Sequence, residues 1–204
     1  YVVGFIVVVR RPQGAARGSP SAASGVYRRQ VETYGGSTIA AVCVEPVAGS
    51  TGVLVPPVGY LERLREICDA HGILLVFDEV ICGFGRLGAP FGAQAFGVKP
   101  DIMTIAKALT NGAQPMGAVV VSDEVHDRVV NTAPEGAIEL FHGYTWSGHP
   151  AACAAGLATM DIYENEHLFD RAAELSDYFL DQLFALRDME VITDIRGLGL
   201  LAGI

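Results

Sequence analysis

The chain has 204 residues, 50% of them hydrophobic and 18% charged, and its 14 basic and 23 acidic side chains leave a net charge of −9. That apolar content suffices for a large buried core and excludes a mostly disordered chain. The acidic balance, with no basic run after residue 30, excludes a nucleic-acid surface and favours small-molecule partners.

In chain order, the apolar run at 1–9, closed by Arg10 and Arg11, is too short to span a bilayer and lacks the positive flank of a signal peptide. Neither a secreted nor a membrane protein is expected. Residues 10–30, rich in glycine, proline and arginine, show neither helical nor strand period and read as a loop or poorly ordered segment. Ile39–Val44 is a β-branched strand ended by Glu45-Pro46. After a loop marked by Gly49, Gly52, Pro56, Pro57 and Gly59, Tyr60, Leu61, Leu64, Ile67 and Cys68 recur at helical spacing, and His71-Gly72 supplies the stop. This amphipathic helix feeds a strand at 73–77.

A second short apolar run covers 102–106, and 117–121 reads as a further strand. Ser122 is the expected cap of a helix reaching about Asn131. Long helices are expected at 151–163 and 168–186, and the last fourteen residues read as strand, turn, strand. The alternation implies an α/β fold with a mostly parallel sheet between helices, the last helices leading to a second, smaller unit.

Two of these runs end on charge: Asp78 follows 73–77 and Lys107 follows 102–106. In open parallel sheets ligands collect in the crevice beyond the carboxyl ends of the strands. A buried carboxylate there can keep a pyridine nitrogen protonated, and a desolvated lysine can form a Schiff base with an aldehyde. The pair therefore suits pyridoxal phosphate. Taken alone, Lys107 reads as a solvated amine and Asp78-Glu79 as an acidic helix cap, and only the context favours the chemical reading. Cys43, Cys68, Cys82 and Cys153 form no CxxC pair and His71, His142 and His149 no HxxxH, so neither a metal site nor a disulfide framework is expected, and a reducing cytoplasm is.

Three long segments then narrow the reading: EPVAGSTGVLVPPVGYLERLREICDAHGILLVFDEVICGFGRLG at 45–88, KPDIMTIAKALTNGAQPMGAVV at 99–120 and HGYTWSGHPAACAAGLA at 142–158. From Thr38 onward the chain resembles the class III pyridoxal-phosphate aminotransferases, and NGAQPMGAV and HGYTWSGHP resemble the ω-amino-acid–pyruvate (β-alanine–pyruvate) branch. The resemblance implies the three-layer fold-type I large domain and the cofactor pyridoxal 5'-phosphate. It implies Lys107 as the Schiff-base lysine, Asp78 as partner of the pyridine nitrogen and Val80 as the residue packed on the ring. Thr145 would reach the phosphate of the neighbouring subunit's cofactor, making the site a property of a homodimer or dimer of dimers. Amino donor and keto-acid acceptor, pyruvate for instance, would be small molecules.

Glu45 resembles a residue that orients a basic substrate group in some relatives, but reads equally as a strand-end carboxylate. Asp101 and Arg86 read as a turn-fixing carboxylate and a packing guanidinium, and Ile81 departs from the glutamine of many relatives. A partial cofactor domain is expected at 38–158, a helical connection at 159–189 and the start of a small C-terminal domain at 190–204. Residues 1–37 offer no counterpart of the family's phosphate cup or ring-stacking aromatic, so the chain reads as an internal fragment with an aberrant junction before residue 30. The open alternatives are a class III decarboxylase or aminomutase, and a non-catalytic remnant.

Overall fold

A computed structural model describes residues 5–8, 20–140 and 142–204. Five strands, β1 (Phe5–Val8), β2 (Ile39–Val44), β3 (Leu74–Asp78), β4 (Ile102–Ile105) and β5 (Ala118–Val121), form one sheet in that order. β1 through β4 run parallel and β5 antiparallel to β4. The sheet is therefore mixed but mostly parallel, as α/β patterning implies.

Helices α1 (Pro20–Tyr34) and α2 (Tyr60–His71) cover one face. Tyr27 and Val31 of α1 and Leu61, Leu64 and Cys68 of α2 close over Val42, Val44, Leu75 and Phe77. Leu61, Leu64, Leu75 and Phe77 are all but completely buried, each worth about 1.5–3 kcal/mol of apolar transfer. The opposite face, carrying Leu74, Val76 and Asp78, is only half-buried. Gly72 ends α2 at φ 64°, where its N–H donates to the carbonyls of Cys68 and Asp69, a left-handed stop that glycine adopts without steric cost.

The short α3 (Gly92–Phe96) lies in the β3 to β4 connection, and α4 (Asp123–Asn131) follows β5. Ser122 caps α4, its Oγ accepting from Val125 N at 3.4 Å. The long helices α5 (Pro150–Asn165) and α6 (Leu168–Phe184) lead to a hairpin of β6 (Arg196–Leu198) and β7 (Leu201–Gly203). Leu198 and Leu201 pack on a second cluster of Val47, Val53, Cys82 and Leu87. No helix among the described residues is long and apolar enough to cross a membrane.

The loop reading of 10–30 is corrected for its second half, because α1 occupies Pro20–Tyr34. Among its residues with described side chains, Tyr27 and Val31, one turn apart, are the buried apolar pair, and Gly25 and two arginines mask the period. Residues 1–4 and 9–19 lie outside the described residues. The apolar run at 1–9 contributes β1, which pairs Val7 with Val42 and Val8 with Cys43.

Candidate active site

Three adjacent parallel strands deliver charge at their carboxyl ends: β2 runs into Glu45, β3 ends on Asp78, and Lys107 follows β4 by two residues. The in-register pair Asp78 and Thr104 places both side chains on the sheet face opposite α1 and α2, because side chains alternate along a strand. Thr104 Oγ1 donates to Asp78 Oδ1 at 3.2 Å, and the Val80 N–H donates to the same oxygen at 3.1 Å. Oδ2 of Asp78 accepts no hydrogen bond among the described residues. One carboxylate oxygen is thus fixed and the other is available.

The neighbouring carboxylate has a different task. Glu79 is fully buried and accepts from Gly92 N and Ala93 N, each at 2.8 Å, at the start of α3. Burial raises its pKa, and the two N–H donors work against that shift. The acidic-cap reading of Asp78-Glu79 therefore belongs to Glu79. Gly92 is required for this contact, since a Cβ there would come 2.6 Å from Pro46 Cβ.

Lys107 is exposed and opens a 3-10 turn, Lys107–Leu109, with φ 46°, a left-handed conformation costly for a residue with a Cβ. Its carbonyl accepts from Thr110 N at 3.3 Å, and its amine makes no ion pair or hydrogen bond among the described residues. Tyr163 of α5 donates its hydroxyl to Ala108 O at 2.7 Å. Val80, half-buried, stands in the turn after β3, directly beyond Asp78.

Thr145 stands apart from these residues, in an exposed turn before α5. It lines a cavity of about 290 Å³ with Met116, Gly117, Ser147, His149 and Cys153. No hydrogen bond among the described residues joins it to Asp78 or Lys107. Glu45 Oε2 accepts from Gly49 N at 2.9 Å and so fixes its own loop. Asp101 Oδ2 accepts from Leu75 N and from the Arg65 guanidinium, at 2.7 and 2.8 Å, the turn-fixing role expected of it. Arg86 is exposed, so its guanidinium is not the packing group expected, while its carbonyl accepts from Leu200 N. No cluster of His, Cys, Asp or Glu that could hold a metal occurs among the described residues. Sequence reasoning passed over Thr104 and Tyr163; a lone threonine inside the apolar run at 102–106 was the one signal available for the first.

A protein-family model, aminotransferase class-III, matches residues 14–204. The family likeness thus begins well before Thr38, where the motifs alone had placed it, and most of the segment read as an aberrant junction lies inside it. An omega-aminotransferase of Caulobacter vibrioides is 59% identical over 176 residues, covering 86% of this chain and 40% of that protein. A beta-alanine–pyruvate aminotransferase of Pseudomonas aeruginosa is 57% identical over 175 residues, with 85% and 39% covered. The chain spans about two fifths of the length of these relatives. Among solved structures, an (S)-enantioselective omega-transaminase from Thermomicrobium roseum superposes with a TM-score of 0.84 at 41% identity, over 90% of this chain and 40% of that one. An amine transaminase from an uncultivated Pseudomonas species, solved in its PLP-bound form, gives 0.82 at 43%, over 88% and 40%. The chain belongs to the class-III aminotransferase family.

Proposed function

We propose that the whole protein is a pyridoxal-phosphate-dependent transaminase that moves an amino group from an ω-amino acid or amine to a keto acid such as pyruvate. The observation that carries this is the arrival of Asp78 and Lys107 at the carboxyl ends of adjacent parallel strands. Both present a functional atom without a partner among the described residues, which fits the two contacts a pyridinium aldehyde needs. The names of the relatives, omega-aminotransferase and beta-alanine–pyruvate aminotransferase, support the substrate class.

When bound, pyridoxal phosphate supplies an electron sink for a carbanion beside the transferred nitrogen. Lys107 Nζ would hold it covalently and, when free, would take up and return a proton at that same Nζ. The open oxygen of Asp78 would hold a proton on the ring nitrogen while Thr104 and Val80 N–H keep the carboxylate in place. Val80 would pack against the ring. Thr145 of one protomer serves its partner's phosphate in a homodimer or a dimer of dimers, and its exposed turn, beside Tyr144 and Trp146 at 54% and 83% exposure, suits an interface. In this reading 38–158 carry the cofactor layer, 159–189 connect, and 190–204 begin a second unit.

Borohydride reduction of the cofactor-loaded whole protein, followed by peptide mapping, tests the assignment. The pyridoxyl adduct is expected on the peptide containing Lys107; an adduct on Lys99 refutes it.

A further inference from the structure

We propose that Tyr163 is a positioning residue for Lys107, a role that rests on the reading of Lys107 as the Schiff-base amine. The lysine turn holds a non-glycine residue at φ 46°, and Asn111, four residues on, stands at φ 50°. Such backbone persists only where the surroundings over-determine it. Tyr163 is the common anchor. Its hydroxyl donates to Ala108 O at 2.7 Å, directly after Lys107, and accepts from Asn111 Nδ2 at 3.1 Å. One phenol oxygen therefore ties together both ends of the turn that lies between its two left-handed residues, Lys107 and Asn111.

The ring that carries this hydroxyl is itself fixed. It stacks on Phe84 at 5.7 Å and 27° and on Phe169 at 5.2 Å and 29°, and Phe84 too stands at positive φ, 61°. Phe84 meets Phe91 edge-on at 5.1 Å. An aromatic row from the loop after β3 to α6 thus clamps the phenol, and the phenol clamps the turn. Buried Thr110, whose Oγ1 donates to Gln114 O at 2.6 Å, holds the far side. Without the hydroxyl the packing survives, yet Ala108 O and the Asn111 amide lose their shared partner. Lys107 then samples backbone states in which Nζ is misdirected, and only a fraction of the protein is poised to react.

The test is Tyr163→Phe in the whole protein, which removes one oxygen and keeps the stack. In the cofactor-free protein, amide exchange at Leu109 and Thr110 is expected to rise about 5- to 150-fold, the loss of the two hydrogen bonds that the hydroxyl makes. On addition of pyridoxal phosphate, the saturating rate of imine formation is expected to fall by a similar factor while the half-saturating concentration stays the same. Asn111→Gly, which tolerates the positive φ and deletes the amide, is expected to shift both readouts in the same direction by less. Wild-type exchange and wild-type imine rate in Tyr163→Phe overturn the proposal, as does a variant that merely melts at lower temperature. Borohydride mapping of each protein separates the two layers: an adduct away from Lys107 overturns the lysine assignment and this role with it, whereas an adduct on Lys107 with unchanged kinetics and exchange overturns this role alone.

Discussion

Replacing Asp78 by asparagine in the whole protein separates the ring-nitrogen role proposed for it from its structural one. Asparagine keeps an oxygen where Oδ1 accepts from Thr104 Oγ1 and Val80 N, so both hydrogen bonds can persist. Bonds to a charged acceptor contribute about 1.5–3 kcal/mol and neutral ones about 0.5–1.5, which sets the stability loss at about 2 kcal/mol. The effect on the ring nitrogen is larger. An opposite charge at contact distance raises such a pKa by about 1–3 units, and each unit is tenfold in the protonated fraction. The half-reaction with amine, followed by stopped-flow absorbance of the cofactor, is therefore expected to slow about 10- to 1,000-fold, with cooperative unfolding retained. A half-reaction within about twofold of wild type, with the fold intact, refutes the reasoning and leaves Asp78 as an anchor for Thr104 and the turn after β3.

Thr145 is expected to act across the subunit boundary, so mixed dimers of Thr145→Ala and Lys107→Ala chains should regain activity through the one site free of both lesions; proven mixed dimers without recovery exclude that role. Glu79 has a raised pKa, first from burial, so its contribution to stability is full below about pH 4.5 and declines as pH rises through the folded value. Urea unfolding from pH 4.5 to 7.5 should show wild type losing ground to Glu79→Gln as pH rises, and the opposite trend would mean that the Gly92 and Ala93 donors outweigh burial. Burial pushes Cys68 up to about 11 and Cys82 up to about 12, leaving about a thousandth or less as thiolate at pH 8. Both should escape iodoacetamide in the native protein and react on unfolding, as mass mapping would detect.

Much of the scaffold was legible because its period was undiluted. β2, α2 and α4 fall where alternation, helical spacing and the Gly72 and Ser122 signals put them. α1 was hidden because, among its residues with described side chains, Tyr27 and Val31 bear the packed face, in a segment whose composition mimics a loop. The two adjacent carboxylates were decidable in principle. Leu75 and Phe77 face the helices, so alternation sends Glu79 the same way and Asp78 the other. The buried cap and the open acid are therefore consequences of one pleat.

Lys107 shows why the lysine half of the site resists the same rule. Along β4, Met103 packs on the helical cluster and Ile105, two residues on, is buried, and continued alternation would send residue 107 the same way, under a covered surface. The chain instead leaves the strand at Ile105. Ala106 takes φ −161° and ψ −149°, and Lys107 turns left-handed. That break in the pleat leaves Lys107 exposed, two residues after a buried isoleucine. Nothing local favours it, since lysine carries a Cβ and no glycine precedes Gly112 in the turn. The turn is tied from afar, by the Tyr163 hydroxyl on Ala108 O, a pair 55 residues apart in sequence, and a contact of that range leaves no mark on hydrophobic period. In the role proposed for Tyr163, the amine of Lys107 is directed by residues that the strand-end motif does not contain, so variation at Tyr163 or Asn111 should alter Lys107 while every residue of DIMTIAK stays unchanged.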